Sequence, residues 1–120
     1  MINYNLSKNI DAYEVQSLLL LESLFKYDAV MRNIEEKPKV RVILLENVPV
    51  IDTTGLQHLN DFCKMCKKRH IKVILSGVSS QVLDAINKDE LKELIGSDNI
   101  FQDTKSAFQK AERLSFKESS

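Results

Sequence analysis

Apolar and polar positions alternate along the chain with two different periods, which separates candidate strands from candidate helices. Near the amino terminus every second residue is apolar over residues 2–6, and a similar alternation runs over residues 13–17. Two short strands separated by residues 7–9 explain this pattern, because successive side chains of a strand point to opposite faces. The four leucines at residues 18–21 either continue the second strand or begin the next element, since periodicity does not distinguish the two.

The spacing of apolar residues lengthens to three or four from about residue 22. This spacing predicts an amphipathic helix that closes near Lys37, because Pro38 disfavours helical geometry in the residue before it. Residues 40–45 are then apolar on both faces except at Arg41, as expected for a central strand that is covered on both sides.

The remainder of the chain repeats this alternation. Residues 54–69 predict a second helix, and residues 72–75 predict a second buried strand. A short helix capped by Ser79 or Ser80 follows, then a turn of helix over residues 91–95 and a short edge strand at residues 99–101. The last helix is predicted from Asp103 or Thr104 to about Leu114, with a frayed tail over residues 115–120.

The order of these elements predicts an α/β fold. From about residue 10, strands and helices alternate, and right-handed crossovers place the helices against a mostly parallel sheet. A chain of 120 residues forms one domain over residues 1–120. Its core is large enough to fold without disulfide bonds or a structural metal ion.

Charge and composition exclude several functions. Seventeen basic residues balance seventeen acidic ones, so nucleic-acid binding through a basic face gains no support. The basic run at residues 64–70 is interpreted as a solvated helix end. No apolar run approaches the roughly twenty residues of a membrane span, and no secretion signal is visible. With only two cysteines, the chain is predicted to be cytoplasmic.

The stretch from Asn47 to Gln57 carries the most distinctive chemistry of the chain. It begins after an apolar strand, turns at Pro49 and enters a helix that Asp52, Thr53 or Thr54 opens. Two hydroxyls and a carboxylate are thereby presented beside the free N–H groups of a helix start. Such a turn can display a phosphorylatable or anion-facing surface without a catalytic pocket.

The residues from Val48 to Leu56, Val-Pro-Val-Ile-Asp-Thr-Thr-Gly-Leu, resemble the signature of the STAS family, which SulP-type anion transporters and bacterial anti-sigma-factor antagonists share. Further blocks extend the resemblance over about residues 10–113: 32–40, 69–78, 81–83, 94–96 and 99–101. The resemblance implies an α/β sandwich with a mostly parallel sheet of about four to five strands, an antiparallel N-terminal strand and about four helices. The domain core would then span about residues 10–114.

Two roles remain open for the loop from Asp52 to Gly55. One of Asp52, Thr53 and Thr54 caps the helix, which contributes about 1 kcal/mol, and Gly55 allows close packing or turn freedom. In the antagonist branch of the STAS family, the first hydroxyl residue after the aspartate is phosphorylated, and that position here is Thr53. A phosphate would add nearly two negative charges beside Asp52. The SulP branch keeps this loop without using it as a general switch.

Two cysteines and two histidines invite metal or redox interpretations that their spacing does not favour. Cys63 and Cys66 lie late in a predicted helix and continue its apolar spacing, so they are predicted to be buried core thiols. His58 and His70 do not complete the spacing of known zinc modules. No catalytic constellation or phosphate-binding glycine loop is visible. We therefore expect no enzyme activity, no cofactor and no metal.

Residues 17–22 depart from the family pattern. SulP-type domains typically carry a segment that resembles Gly-Pro-Leu-Phe-Phe-Gly there, whereas this chain has Ser-Leu-Leu-Leu-Leu-Glu. Glu22 favours the dipole of the following helix but opposes a bound anion. The leucines form either part of the core or a hydrophobic contact face.

The resemblance implies a non-catalytic cytoplasmic STAS domain that regulates a SulP-type sulfate or anion transporter through protein–protein contacts, tethered to the inner face of the cell membrane. Pro49, the loop from Asp52 to Gly55, and Gln57 would dock on the transporter membrane domain or on a cytoplasmic regulatory protein. The alternative is a free-standing anti-sigma-factor antagonist, switched by a kinase at Thr53. A third possibility is a small enzyme or redox protein that uses Cys63 and Cys66.

Overall fold

The fold is that of a computed structural model, which describes residues 9–17, 23–34 and 37–119. Three strands, five α-helices and one 3-10 helix alternate along these residues. Their bounds are β1 Ile10–Glu14, α1 Ser23–Ile34, β2 Val40–Leu44, α2 Thr53–Lys68, β3 Lys72–Ser76, α3 Ser80–Asn87, α4 Leu91–Ile95, the 3-10 helix Ser97–Asn99 and α5 Thr104–Ser119.

The described strands form a parallel sheet in the order β1-β2-β3. Ile10 lies opposite Val40, and Val40 in turn lies opposite Lys72. Ile100 extends the sheet by a single parallel bridge to Leu75, where the sequence predicts a short edge strand. The α/β class and the parallel sheet are thus confirmed. The strand predicted over residues 2–6 and the leucines at residues 18–21 lie outside the described residues, and the antiparallel N-terminal strand stays a prediction.

The strand predicted at residues 13–17 lies three residues earlier in the chain, at Ile10–Glu14. Pairing begins where the Asn9 carbonyl accepts hydrogen bonds from the N–H groups of Lys39 and Val40. It ends where the Val15 N–H donates to the Leu44 carbonyl. The alternating pattern alone could not identify these ends, because strand bounds follow from the length of the neighbouring strand.

Helices cover both faces of the sheet, which explains why β2 is buried throughout. Helix α5 packs Ala107 and Ala111 against the face that carries Val42 and Ile74. The opposite face, with Ile43 and Leu75, packs against the other helices through a larger core. Its helix side chains include Leu24 of α1, Leu59 and Phe62 of α2, Val82 and Ile86 of α3, and Leu91 and Ile95 of α4.

The starts of α3 and α5 follow the predicted caps closely. Ser79 caps α3 by accepting a hydrogen bond from the Val82 N–H, and Asp103 accepts one from the Ser106 N–H at the start of α5. Helix α5 continues to Ser119, beyond the end predicted near Leu114. None of the helices in the described part of the chain has the length and apolarity needed to cross a bilayer.

Candidate functional site

The loop between β2 and α2 lies at the carboxyl-terminal edge of the parallel sheet. In open α/β sheets this edge is where loops most often form binding surfaces. The six candidate residues follow one another here: Pro49, Asp52, Thr53, Thr54, Gly55 and Gln57. All of them are exposed except Gly55, which is buried in the first turn of α2.

Asp52 fixes the start of α2. Its backbone is extended, with φ −93° and ψ 178°, and its Oδ1 accepts a hydrogen bond of 2.7 Å from the Gly55 N–H. The capping role predicted for this loop therefore belongs to Asp52, and the helix begins at Thr53. Because Asp52 performs the capping, the exposed hydroxyls of Thr53 and Thr54 remain available to a partner.

Ser79 ties this loop to the next one along the sheet. Its Oγ donates a hydrogen bond of 2.8 Å to the Pro49 carbonyl while accepting one of 3.1 Å from the Val82 N–H. One hydroxyl thus caps α3 and anchors the β2–α2 loop at Pro49. Next to this anchor, the side chain of Val50 is 46% exposed, so the loop offers an apolar contact beside its hydroxyls.

Gln57 lies one turn into α2 and faces solvent. Its amide Nε2 donates a hydrogen bond of 2.8 Å to Asp61 Oδ1, an arrangement that helix spacing of four residues favours. The side chain is therefore held along the helix surface, where a protein docked on the loop could reach it.

A second cluster, centred on Glu46, supports the beginning of the loop. The Glu46 carboxylate accepts hydrogen bonds from Ser76 Oγ, at 2.9 Å, and from the Thr104 hydroxyl. Gly77 lies directly beneath this carboxylate and has a φ of +69°. A side chain at residue 77 would overlap Glu46 and strain the backbone. Sequence reasoning missed this cluster, because its members lie up to 58 positions apart.

A buried ion network lies under the other end of the sheet. Arg41 of β2 is 1% exposed and donates to both Asp11 of β1 and Asp28 of α1, with shortest distances of 2.9 and 3.0 Å. Asp28 also pairs with Arg32, at 2.8 Å, and with Arg69, at 2.6 Å. The one charged residue in an otherwise apolar strand was the sequence signal for this network.

The network perturbs the pKa values of its members. Burial alone would raise the pKa of Asp28, but hydrogen bonds from Arg41 and Arg32 hold it below its usual value. Burial, together with the nearby Asp11 carboxylate, raises the pKa of Tyr27. The charged groups of the network pair with one another inside the fold. These ion pairs hold α1 against the sheet.

Cys63 and Cys66 are buried free thiols, as predicted. Burial raises the pKa of Cys66 to about 11 even though Arg41 Nη1 lies 3.5 Å from its sulfur. Burial also raises the pKa of Cys63 well above its usual value. Both thiols are therefore protonated at neutral pH and make weak nucleophiles. Within the described ranges, no group of three or more His, Cys, Asp or Glu side chains is placed to hold a metal ion.

The basic run at residues 64–70 differs in part from its prediction as a solvated helix end. Lys67 and Lys68 are exposed, whereas Arg69 joins the Asp28 network and accepts a hydrogen bond at its carbonyl from Lys37. His70 ends this segment with a φ of +62°. Arg69 thus binds Asp28 of α1, whereas the helix pattern alone predicts that its side chain is exposed to solvent.

Comparison with known proteins gives consistent results. The sequence model of the STAS domain matches residues 4–107. The chain is 32% identical over 76 residues to high affinity sulfate transporter 1 of Stylosanthes hamata, an alignment that covers 62% of the chain and 11% of the transporter. It is 33% identical over 66 residues to sulfate transporter 1.3 of Arabidopsis thaliana, covering 53% of the chain and 10% of that protein. The chain therefore spans about a tenth of these relatives.

Solved structures share the fold over nearly the whole chain. The STAS domain of a SulP transporter from Vibrio cholerae superimposes with a TM-score of 0.84 at 28% identity, covering 97% of this chain and 89% of that one. A sulfate transporter family protein from Wolinella succinogenes gives a TM-score of 0.79 at 31% identity, covering 92% and 91%. Sequence and structure thus point to the same relatives.

Proposed function

Since the chain belongs to the STAS domain family, we propose that it is the non-catalytic, cytoplasmic regulatory domain of a SulP-type sulfate or related anion transporter. Its similarity to sulfate transporters and to SulP STAS domains supports this assignment. The domain would act by contact, with the loop from Pro49 to Gln57 docking on the membrane domain of the transporter or on a cytoplasmic regulatory protein.

The observation that carries the proposal is the exposed but firmly anchored loop after β2. Its first part is tied to Ser79 through the Pro49 carbonyl, and its end is closed by the bond between Asp52 and Gly55. A surface that is already ordered loses little conformational entropy when a partner binds. An ordered, exposed loop of this kind is suited to binding a partner protein.

The chemistry of this surface suits a protein partner. Val50 offers an exposed apolar side chain, Thr53 and Thr54 offer hydroxyls, and Gln57 offers an amide. Such a mixture of apolar and hydrogen-bonding groups is typical of protein interfaces. The nearby carboxylates, Asp52 and Glu46, already accept hydrogen bonds within the fold.

Added bulk on the loop should reduce transport. In the transporter that carries this domain, Thr54→Trp is expected to lower the initial rate of sulfate uptake by about fivefold, the lower end of typical coupling between sites. The matched control is Gln109→Trp, which places the same bulk at an exposed position on α5. Uptake of radiolabelled sulfate and the amount of transporter in the membrane would be measured for both variants.

A second variant tests the same surface without bulk. Gln57→Lys can still pair with Asp61 one turn along α2, so the helix should keep its stability. Reduced uptake in Thr54→Trp and Gln57→Lys with normal uptake in Gln109→Trp supports docking through the loop. Normal uptake in both loop variants would rule it out, and equal loss in all three would show general damage.

The exposure of Thr53 favours a second candidate function, a phosphorylation-controlled signalling module. Thr53 is the first residue of α2 and is exposed beside Asp52. A phosphate here would lie near the positive end of the helix dipole, while repulsion from Asp52 would alter the partner surface. Docking would then depend on the phosphorylation state.

Phosphorylation can be tested directly on the chain. Incubation with the cognate kinase and labelled ATP is expected to add one phosphate at Thr53, located by mass spectrometry. Thr53→Ala should abolish labelling, whereas Thr54→Ala, which removes the neighbouring exposed hydroxyl, should retain it. An unlabelled wild-type chain would exclude the switch.

A further inference from the structure

A cavity of about 230 Å³ lies where the end of α2, the start of β3 and helix α4 meet. Its apolar walls comprise Cys63, Ile71, Val73, Leu94 and Ile95. The cavity is next to Lys72, the first residue of β3, and therefore lies toward the amino-terminal edge of the sheet. The proposed docking loop follows the carboxyl end of β2, at the opposite edge.

Two lysines line the same cavity, Lys67 at the end of α2 and Lys72 at the start of β3. Both residues are exposed, and neither forms a salt bridge to a carboxylate in the part of the chain that the structure describes. Other lysines behave differently: Lys64 pairs with Glu90 at 2.7 Å, and Lys110 pairs with Asp98 at 3.2 Å. Two positive charges without a carboxylate partner among the described residues therefore border a recess that is lined by both polar and apolar side chains.

The remaining wall is polar and held in place. Asn99 lines the cavity, and its Nδ2 donates a hydrogen bond of 2.9 Å to the Ile95 carbonyl. Cys63 adds no negative charge, because burial raises the pKa of its thiol well above the usual value. The formal charges at the cavity are therefore those of Lys67 and Lys72, while Asn99 adds a buried Oδ1 that has no hydrogen-bond partner among the described residues.

We propose that this cavity binds a small organic anion, with its apolar body against Ile71, Val73 and Leu94 and its charged head between Lys67 and Lys72. An inorganic anion would accept hydrogen bonds from Lys67 and Lys72 but would leave the apolar side chains of the lining without a partner. A cation is excluded by the two ammonium groups. The volume corresponds to about eight water-sized groups, which suits a short carboxylate such as hexanoate.

The test uses the 120-residue chain and sodium hexanoate as the probe, followed by amide chemical shifts in ¹H–¹⁵N NMR spectra. Shifts are expected at residues 67–73 and 91–99, with a Kd of about 1 mM. Lys67→Met and Lys72→Met should each raise this Kd by about fivefold. Lys68→Met is the matched control, because Lys68 is exposed on the same turn of α2 but does not line the cavity.

Two further probes separate the contributions of head and body. Hexanol keeps the apolar body without charge, and sodium sulfate keeps the charge without the body. Weaker binding of both probes than of hexanoate supports the proposal. If hexanol binds as tightly as hexanoate, the claim that the lysines recognise a negative charge is overturned. If sulfate shifts the same amides equally, the claim that an apolar body contributes to binding is overturned.

The proposal is also overturned if hexanoate leaves residues 67–73 and 91–99 unshifted, shifts the whole spectrum as a detergent does, or binds Lys68→Met as weakly as Lys72→Met. Preserved dispersion in the spectra of the variants shows that they fold. The proposal does not depend on the docking loop, because sulfate uptake by Thr54→Trp tests one edge of the sheet and hexanoate binding tests the other.

Discussion

Replacing Arg41 with methionine is expected to lower the free energy of unfolding by about 3–5 kcal/mol, the range measured when one partner of a buried ion pair is removed. Methionine approximates the length of the arginine stem, so the change removes mainly the guanidinium. Chemical denaturation with urea, followed by circular dichroism, measures the loss directly.

The size of this effect follows from what the substitution leaves behind. Asp11 is half-buried and forms an ion pair with Arg41, so its carboxylate loses its compensating charge. Asp28 keeps Arg32 and Arg69 but loses the bond from Arg41 Nη1. The guanidinium also lies 5.5 Å from the ring centres of Tyr27 and Phe62, and these cation–π contacts disappear as well.

The matched control is Lys64→Met, which removes the solvent-exposed pair between Lys64 and Glu90. Exposed pairs contribute little because water screens them, so this variant should unfold at the same urea concentration as the wild type. A loss of under about 1 kcal/mol in Arg41→Met would contradict the importance of the network. Partial recovery in the double variant Arg41→Met, Asp11→Asn would identify the unpaired Asp11 carboxylate as the source.

The same network predicts how stability depends on pH. Because the pKa of Asp28 is held below its ordinary value of 3.8, the unfolded chain binds this proton more readily than the folded domain. The stabilising contribution of Asp28 is therefore present above about pH 4 and is lost as the pH falls through the lower, folded-state pKa. Arg41→Met should weaken this acid dependence, since Arg41 is one of the groups that lower the pKa.

Alanine at Gly77 is expected to destabilise the domain by about 2–3 kcal/mol. The backbone at Gly77 has a φ of +69°, and a left-handed conformation costs a residue with a Cβ about 1–2 kcal/mol. The new methyl group would also overlap the Glu46 side chain. Glu46 would have to move and would lose hydrogen bonds from Ser76 and Thr104. Thermal or urea denaturation gives the free-energy change.

The two contributions at Gly77 can be separated with Glu46→Ala. In that background the overlap and the hydrogen bonds are already gone, so Gly77→Ala should retain only the backbone term, about 1–2 kcal/mol. An equal loss in both backgrounds would contradict the role of Glu46 as the group packed over Gly77. In the transporter, loss of Glu46 should also weaken the proposed docking, because Glu46 supports the start of the loop that follows β2.

Much of the fold was predictable because its determinants are local. Periodicity placed the buried strand Val40–Leu44 and the helix Thr53–Lys68 within about one residue of their observed bounds. Residue type limited the cap of this helix to Asp52, Thr53 or Thr54, whose short side chains can reach backbone N–H groups, and the structure assigned it to Asp52. The buried positions of Cys63 and Cys66 followed from their spacing along the helix.

The position of the first described strand was less predictable. Alternation placed it at residues 13–17, whereas pairing with β2 placed it at Ile10–Glu14. A period of two residues identifies which side chains share a face. It does not identify where a neighbouring strand begins and ends, and this depends on a partner that lies about 30 residues further along the chain.

The sequence by itself determined the family, the order of strands and helices, and the location of the exposed Asp-Thr-Thr loop, because these depend on neighbouring residues and on one continuous motif. Only the tertiary structure decided which side chains meet across the sheet. It joined Arg41 to Asp11 and Asp28, Ser79 to Pro49, and Lys67 and Lys72 to one cavity. Hydrogen bonds and ion pairs act over a few ångströms, so partners distant in sequence become apparent only when the fold brings them together.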